Sequence, residues 1–383
     1  MFTLDETIFL YILELFVDSE IEQSCRDGHH SSQSLKTLRA VSQVCRKWRA
    51  CSLSWSALWA KSLDLNFNTL TGVPNYYWIK ELLRRSNDCP LWVSIKLSNI
   101  HPLKLPQSLE SSWTRVHAIS IKAPNDIKVA KTSRDLDKLL YREAPNLQRI
   151  DISLDAWSLP STDRKFMGKS INLKQYMPNL RHFSSSLFVF GIEAFVPLQD
   201  LRTLRTNVDA DDADYAVESI PLPNLERLAL TTLRTGPPQE NSDTFFHAPR
   251  PKDVFLHLPR LQEVVIDASK DGKPISLGLD FLGLLSPTVG YPLKIIFGKH
   301  SSIEDFKALL ALPVFKDRIS SRRGIDRRLA ETKLVLPNHI ASHEDANLGR
   351  LVEEFEWLVV QCGDETPSSY DSYHFYDEDT LSS

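Results

Sequence analysis

The apolar positions of this chain first recur at helical spacing and then at strand spacing. Over Leu4–Val17 the residues Leu4, Ile8, Phe9, Ile12, Leu13, Leu15 and Phe16 leave almost no polar side, which predicts a helix covered from more than one direction. Asp18–Gln33 is polar, with Gly28, His29 and His30, and reads as a loop. Leu35, Leu38, Val41, Val44 and Trp48 then recur in steps of three and four, predicting an amphipathic helix with Ser34 as its N-cap. An aromatic turn at Trp55 and Leu58-Trp59 leads into a short strand at Leu63 and Leu65. Asn75–Arg85 predicts a helix, with Trp78, Ile79, Leu82 and Leu83 on one side. Leu91, Val93, Ile95 and Leu97 alternate strictly, as a half-buried strand does.

From Val116 onward a unit recurs. Val116-x-x-Ile119-x-Ile121 is followed by Pro145-Asn146-Leu147, Pro178-Asn179-Leu180, Leu201-x-x-Leu204, Pro223-Asn224-Leu225 and Pro259-Arg260-Leu261, in most cases with further apolar residues three and five positions on. The shared form, P-N-L-x-x-L-x-L, matches the strand segment of a leucine-rich repeat. The units start 21 to 36 residues apart, longer in places than the usual repeat, so several carry insertions. Asp135–Glu143 fits a helical connector, and proline then ends the helix and delivers the chain to the next strand. Stacked units of this kind build a solenoid with a surface for protein recognition; the alternative is an irregular α/β domain whose leucines are ordinary strand core.

Two insertions, Trp157–Ser170 and Thr235–Pro251, carry aromatics and are either recognition loops or simple connections. A helix at Ile275–Leu285, a strand at Leu293–Phe297, a helix at Ile303–Leu312 and a strand at Leu334-Val335-Leu336 follow. Leu348–Val360 has an amphipathic stripe and is expected to be a helix that closes the end of the core. Gly363–Ser383 is acidic, serine-rich and without Lys or Arg, the composition of a disordered tail.

Composition adds limits. A length of 383 residues, 42% hydrophobic and 25% charged, is that of a globular protein with ample core. A net charge of −4 gives no global attraction to nucleic acid or to an anionic membrane, and neither is expected as a partner. The 5 cysteines, Cys25, Cys45, Cys51, Cys89 and Cys362, form no C-x-x-C pair, and no N-glycosylation acceptor is present. Acidic Asp5, Glu6 and Glu14 surround Ile8–Leu13, which is therefore not a signal-peptide core, and no run is long enough to span a membrane. These features point to the cytoplasm or the nucleus.

Catalytic patterns are missing. Gly168-Lys169-Ser170 imitates the end of a phosphate loop, but Asp163 stands where that loop needs glycine. Cys25 with His29-His30 has no second ligand pair, and His339 with His343 follows Pro337-Asn338 in what reads as a solvated loop. Arg322-Arg323 and Arg327-Arg328 form a small basic cluster of the sort usually found on solvated faces. No catalytic, cofactor-binding or metal-binding set is expected.

Leu4–Val17, then Leu38–Trp48 with its Val44-Cys45-Arg46-Lys47-Trp48 core, then Leu58-Trp59, resembles an F-box. The resemblance is closest to the F-box-like proteins common in mushroom-forming fungi, in which the F-box precedes a variable leucine-rich region. Asp5 stands where the family usually has proline, the loop between the two helices is long, and Trp55-Ser56-Ala57 replaces a proline-containing turn. The resemblance implies that the module grips the adaptor subunit of an SCF-type ubiquitin ligase and through it a cullin. It assigns partner binding to Leu4, Ile8, Ile12, Leu15, Val44, Cys45 and Trp48, with Leu35, Leu38 and Val41 holding the module together. Its implied architecture is an α+β chain ending in an α-β solenoid. The helical module occupies 1–65, an irregular leucine-rich-repeat-like domain with a capping helix 66–361, and the acidic tail 362–383. The leucine-rich region would then bind a target protein; the alternative is an interaction scaffold that recruits no ligase.

Overall fold

The computed structural model describes residues 6–27, 33–66, 76–97, 105–123, 136, 138–154, 173–185, 198–209, 222–233, 260–267, 294–298, 301, 303, 306–307, 332–342 and 358–362. Helices α1 (Glu6–Asp27), α2 (Gln33–Val44), α3 (Arg46–Ser54) and α4 (Ser56–Ala60) come first. Strand β1 (Leu63–Asn66), helix α5 (Tyr76–Ser86) and strand β2 (Leu91–Lys96) follow, and after a short helix at Gln107–Ser111 comes β3 (Val116–Ala123). The later strands are β4 (Arg149–Leu154), β5 (His182–Ser185), β6 (Thr203–Asp209), β7 (Arg227–Leu233) and β8 (Glu263–Asp267). The last are β9 (Lys294–Phe297), β10 (Thr332–Leu336) and β11 (Leu358–Cys362).

These strands make one 11-stranded sheet in strict chain order, and every adjacent pair is parallel. The result is an α/β-type fold. Register follows the apolar pattern. Leu63 opposes Val93, Val93 opposes Ile119, and the row continues through Ile150, Phe183, Leu204, Leu228, Val264, Ile295 and Leu334 to Val360. A one-residue slip at any strand would send its share of this row to the other face, so burial locks the register.

The P-N-L motif has a physical reason. In Ala144-Pro145-Asn146-Leu147, Met177-Pro178-Asn179-Leu180 and Leu222-Pro223-Asn224-Leu225 the leucine N–H donates to the carbonyl three residues earlier, at 3.1–3.2 Å. Each is a β-turn with proline at its second position, where the ring presets φ. The asparagines link successive turns. Asn146 Nδ2 donates to the Thr114 carbonyl at 2.8 Å, Asn179 to that of Pro145 at 2.7 Å and Asn224 to that of Gln199 at 2.9 Å. Leu198–Leu201 makes the same turn with a 3.2 Å bond but no proline or asparagine, so the geometry outlasts the motif.

Several expectations are corrected. The helix that begins at Glu6 runs to Asp27 and takes up much of the expected loop 18–33; Gln33 already belongs to α2, so Ser34 lies inside that helix rather than capping it. The expected continuous helix through Trp48 breaks at Cys45, and the aromatic turn is instead the junction of α3 and α4 at Trp55. Residues 358–360, placed at the end of an amphipathic helix, form β11, because pairing with β10 provides a parallel partner for Leu358-Val359-Val360. Cys362, assigned to the tail, ends that strand. His339 is exposed but not in a loop: it lies on the short helix Asn338–Ala341 with Nε2 2.8 Å from the Ser301 carbonyl. The Asp135–Glu143 connector is helical at 136 and 138–140. The helix at Ile275–Leu285, the insertions Trp157–Ser170 and Thr235–Pro251, the basic cluster at Arg322–Arg328 and the segment Gly363–Ser383 lie outside the described residues, as does most of Ile303–Leu312.

Asn179→Ala should lower the chemical-denaturation midpoint by the equivalent of about 1 kcal/mol. Asn179→Asp should cost more, since a carboxylate facing the Pro145 carbonyl has no hydrogen to donate. Phe183→Ala, which removes a fully buried ring, should cost about 3–5 kcal/mol, read by far-ultraviolet circular dichroism in the same titration.

Candidate functional site

Helix α1 carries two apolar stripes. Phe9, Leu13 and Val17, spaced by four, are buried in the same core as the sheet. Ile8, Tyr11, Ile12, Leu15 and Phe16 fall at i, i+3, i+4, i+7 and i+8 and lie on another side, with Ile8 52% and Ile12 50% exposed. The first stripe explains the helix: it packs on α2, α3 and α4. Glu14, between the stripes, meets Lys61 Nζ at 3.2 Å and ties α1 to the end of α4. Among the described residues, Ile8, Tyr11, Ile12 and Leu15 of the second stripe belong to neither buried core cluster.

The break at Cys45 sets the other candidate residues. Cys45 is extended, with φ −155° and ψ 169°, and its Sγ accepts from the Trp48 N–H at 3.4 Å, so the thiol caps α3. Arg49 Nε donates to the Ser42 carbonyl at 2.8 Å, which satisfies one of the last acceptors of α2. The break turns Val44 outward, 61% exposed, and leaves Cys45 exposed. Trp48 is half-buried, its ring centroid 4.5 Å from that of Phe9. Trp48 therefore joins α3 to α1 from inside, although the F-box resemblance assigned it to partner binding. Leu38 is buried and Val41 packs partly on the core, in keeping with the internal role assigned to them, while the Leu35 side chain and Leu4 lie outside the described residues.

The helices are clamped to the start of the sheet. Arg39 of α2 stacks over Trp78 of α5 at 4.0 Å, and Arg85 of α5 over Trp59 of α4 at 4.5 Å. Trp59 is fully buried and donates from Nε1 to the Ser52 carbonyl at 2.7 Å. One core runs from Phe9 to Ile340.

The second surface is the sheet face away from that core. In β1 to β6 its central row is polar: Asp64, Ser94, Ser120, Asp151, Ser184 and Arg205. Arg149 pairs with Asp151 at 2.6 Å, and His182 Nδ1 lies 3.1 Å from Thr203 Oγ1. Burial, reinforced by the nearby Arg149, Arg202 and Arg181, pushes His182 down to about 4, so it is neutral at physiological pH. In β7 to β10 the same row is apolar: Ala229, Val265, Ile296 and Val335 form a second buried cluster. The pattern reading missed this cluster, although Val264-Val265-Ile266, Ile295-Ile296-Phe297 and Leu334-Val335-Leu336 are each apolar at three consecutive positions, as strands covered on both faces are.

Among the described residues no three His, Cys, Asp or Glu side chains come together as a metal-binding group. No described helix is long and apolar enough to cross a membrane. What the arrangement offers chemically is surface on the helical module, the apolar stripe of α1, beside a sheet face that is polar along β1 to β6 and apolar along β7 to β10. No protein-family model matches the chain, and no curated protein matches it in sequence.

Asp64 gives a pH signature. Burial raises its carboxyl from 3.8 to about 6, against the lowering influence of Lys96, and its Oδ1 has no hydrogen-bond partner among the described residues. The fold thus favours the protonated acid, so this contribution is present in full below the unfolded value and is lost as pH rises through about 6. At about 1.4 kcal/mol per pH unit the loss is at most about 3 kcal/mol. Asp64→Asn should remove that loss and raise the urea midpoint at pH 7 relative to wild type, with the difference shrinking toward pH 4.

Proposed function

We propose that the chain is a substrate-recruiting adaptor of an SCF-type ubiquitin ligase. In this reading residues 1–65 form an F-box-like module that binds the ligase's adaptor subunit and through it a cullin. Residues 66–361 form a leucine-rich solenoid that holds a target protein, and the protein works in the cytoplasm or nucleus. The observation that carries the reading is the outer stripe of α1. Ile8, Tyr11, Ile12, Leu15 and Phe16 leave apolar area in water on a helix whose opposite stripe is already packed. Burying a half-exposed isoleucine contributes about 1 kcal/mol, and an amphipathic helical face of this spacing is what a partner's apolar groove recognises. Val44 and Cys45 add exposed positions at the α2–α3 break.

The solenoid reading is supported by the chain-order parallel strands, by the recurring turn, and by asparagines that bond from one turn to the one before. The free thiols Cys45, Cys51 and Cys89 suit a reducing compartment. One observation favours a second reading, a scaffold without ligase recruitment. Phe9, Leu13, Val17 and Leu38 share the core of the sheet, so the helices also close the end of the sheet that β1 forms.

Co-expression of the full chain with the ligase adaptor and cullin separates the two. The ligase reading expects a co-purifying complex whose affinity falls at least about tenfold for Ile8→Ser with Ile12→Ser, while thermal stability stays near wild type because both side chains face water. Trp48→Ala is the poorer probe, since its contact with Phe9 makes it destabilising in its own right. A wild-type chain that brings down no adaptor leaves the scaffold reading.

A further inference from the structure

The polar half of the outer sheet face carries an uneven charge. Arg149 stands on β4 and Arg205 on β6, while Arg181 and Arg202 lead directly into β5 and β6. Arg202 and Thr203 both donate from N–H to the Arg181 carbonyl, at 2.8 and 3.0 Å, so Arg181 and Arg202 stand at matching positions one strand apart. The charges of Arg149, Arg202 and Arg181 converge on the His182 imidazole, and the carboxylate of Asp151 acts against them. Like charges on neighbouring strands repel, so this is a place where added negative charge is favourable. The cluster can be reached: the Arg149 side chain is 38% exposed, and Arg181, Arg202 and Arg205 are each partly exposed.

The face itself shows which anion it takes. Asp151 accepts from Arg149 Nε at 2.6 Å, and on the neighbouring strands β7 and β8 Glu263 accepts from Arg227 Nε at 2.8 Å. Both are carboxylate–guanidinium pairs. The guanidinium groups are spread over β4 to β6, and strands lie about 4.8 Å apart, so the charges cover about 10 Å. One phosphoryl group is too small to meet them all. Carboxylates on alternate residues of an extended peptide recur about every 7 Å and match that spread. A long polyanion fits poorly, because the sign reverses at β7: Glu226 takes the position that Arg202 holds on β6, its N–H donating to the Arg202 carbonyl at 2.9 Å. Toward β1 the central row turns to Ser120 and Ser94 and ends at Asp64, with Lys96 and Lys122 two positions further along β2 and β3.

We propose that the sheet face at β4 to β6 docks an extended acidic segment of a partner protein, its Asp or Glu carboxylates meeting Arg149, Arg181, Arg202 and Arg205. The inference rests on the reading of the leucine-rich region as the part that holds a target, and it names the chemistry of that target. Ligase recruitment by the helical module is a separate matter.

Fluorescence anisotropy of the full chain with a fluorescein-labelled peptide of alternating glutamate and glycine tests it. The glutamate peptide should bind at least about tenfold more tightly than its glutamine counterpart, and high salt should weaken it. Arg181→Gln with Arg202→Gln should remove at least about tenfold of that affinity, whereas Arg84→Gln, on the distant helix α5, should not change it. Ser184→Glu leaves every arginine in place and adds a carboxylate between Asp151 and Arg205, so it should block the peptide as well. It keeps the test decisive should the double variant not fold. Equal binding of the glutamate and glutamine peptides, or glutamate binding unchanged in Ser184→Glu, would overturn the proposal. Tighter binding of a glycine peptide with one central phosphoserine, or of a single-stranded oligothymidylate, would assign the cluster to a phosphoryl group or to nucleic acid and overturn it equally. A failed peptide with the ligase adaptor still co-purifying strikes this inference alone; a bound peptide without the adaptor strikes the ligase reading alone.

Discussion

The in-register apolar row from Leu63 to Val360 is the constraint on which the rest of the structure depends. The row survives only if each connection delivers its strand at the same height. The turn that ends at Leu147, Leu180, Leu201 and Leu225 does this, since its hydrogen bond places the leucine three residues from the end of the preceding segment. The asparagine bonds then fix one turn to the next. Register, turn and ladder are one device seen at three scales.

That row must be closed at its ends. At β1 the closing elements are the N-terminal helices, which insert Phe9, Leu13, Val17 and Trp59 into the same core and are clamped by the Arg39–Trp78 and Arg85–Trp59 stacks. A helix used only for closing needs one apolar stripe. Helix α1 has two, and Ile8, Tyr11, Ile12 and Leu15 of the second stay exposed among the described residues. The excess of Ile8, Tyr11, Ile12 and Leu15 over what closure requires is the physical basis for reading the module as a docking element.

Strands were legible where burial is one-sided. Leu91–Leu97 alternates strictly, and the recurring P-N-L turn with the apolar positions after it located β4 through β8. Alternation was a poorer guide where both faces are covered: the repeat form leaves Val265 at a spacer position, and the second cluster stayed hidden. The break at Cys45 was not legible because cysteine is not a common cap; only the Sγ bond to the Trp48 N–H reveals that role. It is also why Val44 proved exposed while Trp48 proved half internal, though both lay on one predicted face. At Leu358–Val360 helical spacing and strand residues coexist, and pairing with β10 decided the outcome, a tertiary effect that local pattern does not carry.

The most direct test of the account is hydrogen–deuterium exchange of the full chain with and without the ligase adaptor subunit. The account predicts that the adaptor slows exchange in α1 and at the α2–α3 break around Val44 and Cys45, and leaves the sheet strands β2 to β6 unchanged. Slowed exchange confined to the sheet, or no change anywhere at saturating adaptor, would contradict it.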